Sequence, residues 1–506
     1  MLDITRTDLV LGIVGTGLMG RGIAQIAVQG GIRVVLHDAR PGAAGEARDA
    51  IGQTLATLAA KGRIAAADAD AATARIGIAE SLNDLAGCHA VVEAIVEQLD
   101  AKRALFRQLE DIVSETCILA TNTSSLSVTA IAAGCRLPGR VGGFHFFSPV
   151  PLMKIVEVID GALSEPWVGE ALTALAQRMG HTPVRAQDTP GFIVNHAGRG
   201  FGTEALRILG EGIAAVPDID RILRDAAGFR MGPFELLDLT GLDVSHPVME
   251  SIYDQYYQEP RYRPSPITRQ RLAAGLLGRK SGRGFYVYRE GKADIPAEDA
   301  PPARTDIPVW VSRRNAEAAT RVTALLESLG ARLDRADTPG TASLCLVLPL
   351  GEDATTAALA EGLDPGRTLA LDPLALDGRR TLMRTPLTQR EMRDAARALL
   401  AADGTPVTVI NDSPGFVVQR VLATIVNIGC DIAQQRIATP TDIDRAVTLG
   451  LGYPKGPLAL GDALGARTVL AILDAMHDFY RDPRYRPSPW LVRRARLGVS
   501  LLTPEN

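Results

Sequence analysis

Apolar and polar residues alternate through residue 186 in the pattern of strands separated by amphipathic helices. Leu9 to Val14 is an apolar, β-branched run, Arg21 to Gly30 has helical periodicity, and Ile32 to Leu36 is apolar again. Further strands are predicted at residues 90–95, 117–121, 141–146 and 154–159, with a helix at 102–115. This alternation predicts a Rossmann-type, doubly wound α/β domain over residues 1–186.

The rest of the chain divides into four predicted segments. Residues 187–289 have helical patterns with proline stops, which predict an all-α helical domain. The Pro-rich, charged residues 290–306 predict a linker. Residues 307–410 return to short apolar runs, at 309–311, 344–348 and 368–371, and predict a degenerate α/β domain. Residues 411–506 are predicted to form a second copy of the helical domain.

An internal repeat indicates this second copy. DTPGFIV at 188–194 recurs as DSPGFVV at 412–418, and DIDR at 218–221 recurs at 442–445, at the same offset along the chain. PRYRPSP occurs at 260–266 and again at 483–489. The repeated half has no GxGxxG, NTSS or HFFxP segment, and Gln419 and Arg420 stand where the first copy has Asn195 and His196. We therefore predict a single active site, in the first half.

Composition excludes several classes of protein. The 54 basic and 58 acidic residues give a net charge of -4 without charged blocks, which argues against nucleic acid or an anionic membrane as partner. Five scattered cysteines, never in a CxxC pair, argue for a reducing compartment and against disulfides or a metal site. The N-terminus lacks a secretory pattern and no apolar run is long enough to span a membrane. We expect a soluble cytoplasmic protein.

The first strand is followed by a glycine-rich turn, Gly15-Thr16-Gly17-Leu18-Met19-Gly20, and then by a helix. Gly15 permits a tight turn, Gly17 permits close approach to a pyrophosphate, and Gly20 permits close packing of helix on strand. Asp38 comes directly after the second strand, where a carboxylate accepts hydrogen bonds from a ribose and repels a 2′-phosphate. The pattern predicts an NAD site that includes Leu18 and Met19.

The segment GFHFFSPVPLMKIVEVI, at 143–159, places His145 and Glu157 close together in sequence. Most of it is apolar, so both side chains are expected to be partly buried, and a buried carboxylate requires a partner. The two residues are candidates for a general base and the group that orients it. The alternatives are a core histidine with no catalytic role and a glutamate on the outer face of an edge strand.

These segments resemble the L-3-hydroxyacyl-CoA dehydrogenase family. The resemblance rests on GIVGTGLMGRGIA, VVEAIVEQLDAK, ATNTSSLSVTAIA, GFHFFSPVPLMKIVEVI, DTPGFIVN and GRKSGRGFYVY, in family order from residue 12 to about 288. It implies NAD-dependent interconversion of a 3-hydroxyacyl-CoA and a 3-oxoacyl-CoA, with His145 as catalytic base and Glu157 as its acidic partner.

The resemblance also implies roles for further polar residues. Ser124 and Asn195 would bracket the substrate oxygen, Glu97, Lys102 and Asn122 would line the nicotinamide half of the cofactor site, and Lys280 would reach back towards the cofactor. The alternatives are that Asn195 has only a packing role and that Lys102 and Lys280 are ordinary surface lysines. The family usually has asparagine where this chain has Ser148, so we expect altered positioning of substrate or nicotinamide there, with activity retained.

Chain length and the tandem helical domains resemble the long bacterial members that act on 3-hydroxyadipyl-CoA in phenylacetate breakdown. The alternative substrate is 3-hydroxybutyryl-CoA, and a non-catalytic, NAD-binding relative of the crystallin type is a further alternative. Short members dimerise through the helical domain, so the second copy is expected to form a pseudo-dimer within the chain, with a homodimer as the alternative.

Overall fold

The computed structural model describes residues 2–505. The chain forms two compact units. One contains the chain up to His196 together with residues 435–451, and the other contains residues 197–434 and the chain from Gly452 onward. In the described part of the chain, no helix combines the length and the apolar content needed to cross a membrane.

The first unit is built on an eight-stranded sheet with the order β3-β2-β1-β4-β5-β6-β7-β8. Its elements in chain order are β1 (Val10–Val14), α1 (Leu18–Gln29), β2 (Arg33–His37), α2 (Ala43–Ala60), α3 (Ala66–Ala74), β3 (Ile76–Ile78), β4 (Ala90–Glu93), α4 (Leu99–Glu110), β5 (Ile118–Thr121), α5 (Val128–Ala132), β6 (Val141–Phe146), β7 (Ile155–Asp160), α6 (Pro166–Arg178), β8 (Thr182–Gln187) and α7 (Val194–Ala197). All neighbouring strands are parallel except β6 and β7. The predicted Rossmann-type domain is confirmed.

Hydrophobic cores lie on both faces of this sheet. One contains residues of α1, α2 and α6, and the other contains residues of α4 and α5. The strands are therefore apolar on both sides, as their sequences indicate. The helix predicted at 102–115 in fact spans Leu99–Glu110, because the amides of Ile112 and Val113 close its last turn on Leu109 O and the polar residues beyond form turns.

The second unit contains helices and a six-stranded sheet. Its elements are α8 (Arg199–Gly210), α9 (Val216–Asp225), α10 (Pro233–Thr240), α11 (Leu242–Gln255), α12 (Pro266–Ala273), β9 (Tyr288–Arg289), β10 (Lys292–Ala293), β11 (Val309–Val311), α13 (Ala316–Ser328), β12 (Leu333–Asp334), β13 (Leu344–Val347), α14 (Ala354–Ala360), β14 (Thr368–Leu371), β15 (Arg380–Arg384), α15 (Arg390–Leu400), β16 (Val407–Ile410) and α16 (Val417–Gln434). Helix α17 (Pro440–Leu451) belongs to the first unit, and α18 (Pro457–Leu464), α19 (Ala466–Tyr480) and α20 (Pro489–Leu497) return to the second.

The second sheet has the order β12-β11-β13-β14-β15-β16, and only β14 and β15 are antiparallel neighbours. Like the first sheet, it contains one antiparallel pair among parallel neighbours, but it has fewer strands. The predicted linker at 290–306 includes β10, which forms a hairpin with β9, and Glu298, which makes an ion pair with Arg379 at 2.7 Å. Part of the linker is thus fixed by secondary structure and charge.

Candidate active site

The turn between β1 and α1 has the conformation that its glycines indicate. Gly15 has φ +96°, and a Cβ there would lie 2.5 Å from Ala94 O. A Cβ at Gly20 would lie 1.8 Å from Gly15 O, whereas one at Gly17 would meet nothing within 4 Å. Gly17 precedes α1 without a side-chain cap, so the amides of the first turn, which includes Leu18 and Met19, remain available for an anion.

Asp38 follows β2 and lies beside this turn. Its Oδ2 accepts hydrogen bonds from the amide and the hydroxyl of Thr16, both at 2.8 Å, and Oδ1 accepts one from the Arg40 amide at 2.9 Å. Partial burial favours the neutral acid, but the amides of Thr16 and Arg40 outweigh it and hold the pKa of Asp38 below its usual value. The tight turn, the uncapped helix and an ionised carboxylate fit a dinucleotide with a free ribose 2′-hydroxyl.

His145 and Glu157 face each other across the antiparallel pair β6 and β7, in register. His145 Nδ1 lies 2.7 Å from Glu157 Oε2. His145 is 4% exposed and Glu157 is fully buried. Because β7 is bonded to β6 on one side and to β8 on the other, the edge-strand interpretation of Glu157 is wrong. Engagement of Nδ1 leaves Nε2 as the ring atom available to a substrate.

Backbone amides hold the other oxygen of Glu157. Oε1 accepts hydrogen bonds from the amides of Ile193, at 2.8 Å, and Val194, at 2.9 Å. These amides lie at the start of α7, after a turn in which Gly191 has φ +76° and Phe192 has φ +47°. The Phe192 ring lies 5.7 Å from the His145 ring, between centroids. A buried carboxylate with three donors is both stabilised and fixed in orientation.

Glu97 organises the NTSS turn after β5. Its Oε1 accepts hydrogen bonds from the Thr123 hydroxyl at 2.6 Å, the Ser124 amide at 2.8 Å and the Ser125 amide at 3.0 Å. Burial favours the neutral acid, but the bond from Thr123 and the charge of Lys102 outweigh it and lower the pKa of Glu97 to about 2. The carboxylate therefore stays ionised at neutral pH.

Lys102 is buried beneath this turn. It is 1% exposed, and its Nζ lies 2.6 Å from Glu93 Oε1 and 3.3 Å from Glu97 Oε2. Glu93 is fully buried and also accepts a hydrogen bond from the Thr121 hydroxyl at 2.7 Å. The surface-lysine alternative for Lys102 is therefore wrong. No motif in the sequence indicates this ion pair.

The structure brings Ser124, Asn195 and Asn122 to the same region as the His145 strand. Asn195 Nδ2 donates a hydrogen bond to Ser124 O at 3.4 Å. Asn122 Oδ1 accepts one from the amide of Phe146, the residue after His145, at 2.9 Å. The NTSS turn, α7 and the end of β6 are thus joined by hydrogen bonds around the histidine.

Two further predicted residues have other surroundings. Ser148 is exposed, and its hydroxyl has no hydrogen-bond partner among residues 2–505. Lys280 belongs to the second unit, where its ammonium lies 2.5 Å from Asp243 Oδ1 and both side chains are nearly half exposed. Among residues 2–505, no group of three or more acidic, histidine or cysteine side chains is arranged to hold a metal ion.

Models of one known family match most of the chain. The model of the 3-hydroxyacyl-CoA dehydrogenase NAD binding domain matches residues 10–189, and that of the C-terminal domain of the same family matches residues 191–288 and 415–500. The 3-hydroxyadipyl-CoA dehydrogenase of Escherichia coli K12 is 35% identical over 494 residues, which are 96% of this chain and 97% of that protein. This chain belongs to the 3-hydroxyacyl-CoA dehydrogenase family. It is an NAD-dependent oxidoreductase of that family.

Other members of this dehydrogenase family are similar over all or half of the chain. The crystal structure of a 3-hydroxybutyryl-CoA dehydrogenase from Escherichia coli K12 has a TM-score of 0.85 at 34% identity, covering 97% of this chain and 98% of that one. A probable 3-hydroxybutyryl-CoA dehydrogenase of Deinococcus radiodurans is 41% identical over 55% of this chain and 99% of its own length. Shorter dehydrogenases of the family thus match about half of this chain, and longer ones match almost all of it.

Proposed function

We propose that the hydride-transfer reaction takes place at a single site built on the first unit, with His145 as the general base. The observation that carries this proposal is the buried pair of His145 Nδ1 and Glu157 Oε2, 2.7 Å apart. When bound, NAD supplies the acceptor for the hydride that leaves C3 of the substrate. Nε2 of His145 accepts the proton of the 3-hydroxyl group, and in the reverse direction donates a proton to the forming alkoxide.

The remaining candidate residues bind the cofactor and orient the substrate. The turn of Gly15, Gly17 and Gly20 and the first turn of α1 hold the pyrophosphate, and Asp38 holds the adenosine ribose. Asn122 and Glu97 shape the nicotinamide half of the site, and buried Lys102 acts by fixing the carboxylate of Glu97. Ser124 and Asn195 position the substrate oxygen. We assign Ser148 and Lys280 to the cofactor side on the family resemblance.

Glu157 is the group that orients His145. Its Oε2 accepts a hydrogen bond from Nδ1–H, which fixes the tautomer in which Nε2 has a free lone pair. The amides of Ile193 and Val194 occupy Oε1, so the carboxylate has little freedom to rotate away. The imidazolium formed during oxidation is stabilised by the same carboxylate.

The substrate that we propose is 3-hydroxyadipyl-CoA. Support comes from the 35% identity, over 96% of this chain, to the Escherichia coli protein of that name. The second candidate is 3-hydroxybutyryl-CoA, which is favoured by the name of the Escherichia coli structure with a TM-score of 0.85. The two substrates differ in whether the acyl chain ends in a carboxylate, so one chemical difference decides between them.

We also propose that the chain is an internal pseudo-dimer, in which residues 411–506 are a second copy of the helical domain at 187–289. The C-terminal-domain model of the family matches both segments. Hydrogen bonds support the same relationship: the Gln187 amide donates to Ile437 O at 2.8 Å, and the Asn411 amide donates to Ile213 O at 2.9 Å. At the repeat offset that takes position 188 to 412, Gln187 corresponds to Asn411 and Ile213 to Ile437. The two bonds are therefore the same contact, made once from each copy, as an isologous interface requires.

The second copy lacks catalytic groups at the corresponding positions. The sequence PGR precedes β6 at 138–140 and β14 at 365–367. When the two segments are aligned, Asp372 occupies the position in the second sheet that His145 occupies in the first. The Asp372 amide bonds to Thr381 O, so Thr381 takes the place of Glu157, and Gln419 takes that of Asn195. Gln419 Nε2 donates to Asp372 Oδ1 at 2.9 Å. This cluster has no imidazole, so we infer that it does not catalyse hydride transfer.

Oxidation of NADH in the presence of 3-oxoadipyl-CoA or acetoacetyl-CoA, by wild type and His145→Ala, tests the proposal. We expect turnover with a higher kcat/KM for 3-oxoadipyl-CoA, and a loss of about 10²–10⁴-fold in the variant. A higher kcat/KM for acetoacetyl-CoA would transfer the assignment to the short-chain substrate. NADH binding without turnover of either thioester would instead indicate a non-catalytic relative, and undiminished turnover by His145→Ala would remove that residue from the mechanism.

A further inference from the structure

Helix α17 lies in the second helical segment of the sequence but packs in the first unit, against β7 and β8. Its inner face consists of Ile443, Ala446, Val447 and Gly450, spaced at i, i+3, i+4 and i+7. The first three of these residues are fully buried. The segment before the helix is tied to the end of β8 by the bond from the Gln187 amide to Ile437 O at 2.8 Å. Residues from the second half therefore cover the strand that contains Glu157.

Gly450 faces Val194 at the last turn of α17. A Cβ at Gly450 would lie 2.9 Å from Val194 Cγ2 and 3.1 Å from Cγ1. Because these atoms belong to a short branched side chain that is 1% exposed, they cannot move away without displacing the backbone of Val194. The amide of Val194 donates to Glu157 Oε1 at 2.9 Å. The lack of a side chain at Gly450 thus leaves room for Val194, whose amide holds Glu157, the partner of His145.

We propose that α17 is a positioning element of the catalytic pair, in which Gly450 permits Val194 to occupy the place from which its amide fixes Glu157. Gly450 and Val194 are positioning residues, since the proposed effect reaches the reacting atoms through Glu157 and His145. The proposal rests on the proposed roles of His145 and Glu157. It makes the active site dependent on a segment that lies in the other half of the sequence.

The corresponding elements of the other copy show where the glycine is required. By the offset that relates the two DIDR segments, α17 corresponds to α9, Gly450 to Ala226 and Val194 to Val418. Helix α9 packs against α16, which contains Val418. In that copy Thr381 stands in place of Glu157, so no carboxylate has to be held by this amide. Gly450 belongs to the second copy but packs against the part of the first copy that contains the catalytic pair, whereas the corresponding residue of the first copy, Ala226, has a methyl group.

The test is the variant Gly450→Ala in the full chain. Alanine is a better helix former than glycine, so the substitution does not weaken α17 itself. We expect kcat for reduction of acetoacetyl-CoA to fall about tenfold or more, since small displacements of a catalytic group have effects of this size. The dissociation constant of NADH should stay unchanged, and amide hydrogen exchange should quicken in the segment 188–196.

Two further variants isolate the contact. Val194→Ala removes Cγ1 and Cγ2 but keeps the amide, so the double variant Gly450→Ala/Val194→Ala should recover most of kcat and of the amide protection. Gly45→Ala is the matched control in helix α2, where a new methyl group meets only Ile78 Cδ1 at 3.8 Å. It should behave as wild type in both measurements.

Unchanged turnover and exchange in Gly450→Ala would overturn the proposal. So would losses of turnover, NADH affinity and thermal stability that occur together and are not recovered in the double variant. If wild type proves inactive towards acetoacetyl-CoA and 3-oxoadipyl-CoA, the proposed function fails. In that case the exchange measurement still decides whether Gly450 positions Val194.

Discussion

The carboxylate of Glu157 is shared between the imidazole of His145 and the backbone of Val194. Oε2 lies 2.7 Å from His145 Nδ1, and Oε1 accepts the Val194 amide at 2.9 Å. One side chain therefore couples the end of β6 to the start of α7. Any change that moves α7 is expected to reach the histidine through this carboxylate.

Glu157→Gln tests how the tautomer of His145 is controlled. The amide oxygen can still accept from Ile193 and Val194, but its NH2 group then faces Nδ1, which becomes an acceptor and leaves the proton on Nε2. Nε2 can then no longer accept the substrate proton. We expect kcat for 3-hydroxyacyl-CoA oxidation to fall about 10²–10⁴-fold, measured as NADH production. The NADH dissociation constant should stay unchanged and the unfolding temperature should not fall. Oxidation at the wild-type rate would contradict this account.

The local parts of the fold could be predicted from the sequence. The bounds of β6, Val141–Phe146, and of β11, Val309–Val311, agree with the prediction, because short apolar runs between polar turns indicate buried strands. The glycine turn and the pairing of His145 with Glu157 were likewise predictable, since each depends on residues that are close in sequence or on adjacent strands.

The remaining parts of the fold and of the site depend on contacts that produce no recognisable side-chain pattern in the sequence. The groups that bind Glu157 Oε1 are backbone amides, and their only sequence signal is the repeated DTPGF segment with Gly191 at positive φ. The position of α17 in the first unit depends on its packing against β7 and β8, which a helical pattern cannot indicate. Lys102 was ambiguous because an amphipathic helix can present a lysine to solvent or to a buried acid.

Lys102→Met tests whether that lysine is structural. Methionine fills a similar volume but leaves Glu93 buried and unpaired, and loss of one partner of a buried ion pair costs about 3–5 kcal/mol. We expect the free energy of unfolding in urea to fall by this order. The double variant Glu93→Gln/Lys102→Met should recover most of it, because the side-chain amide oxygen can still accept from the Ile95 amide while its NH2 group donates to the Thr121 hydroxyl. A double variant that folds as wild type but binds NADH about tenfold more weakly would instead show that Lys102 contributes to cofactor binding, directly or through Glu97.

The pH dependence of the free energy of unfolding tests whether Asp372, in the second unit, is a neutral acid in the folded protein. The residue is fully buried, and burial raises its pKa to about 6 despite hydrogen bonds from Gln419 and the Leu374 amide. Its ordinary value is 3.8. Between these values the unfolded chain ionises while the folded chain stays neutral, so the free energy of unfolding decreases as pH rises from about 4 to about 6, and then stays lower.

Asp372→Asn removes this penalty, because the amide stays neutral at every pH. Asp372 Oδ2 is buried and has no hydrogen-bond partner among residues 2–505, so an NH2 group in its place breaks no existing hydrogen bond. We expect the variant to be more stable than wild type by roughly 2–3 kcal/mol at about pH 7.5 and by much less at about pH 4.5. Urea unfolding at the two pH values measures this. Asp377→Asn, which removes the same charge from an exposed site nearby, is the control and should have little effect. Equal stabilisation by Asp372→Asn at both pH values would mean that Asp372 is not a neutral acid in the folded protein.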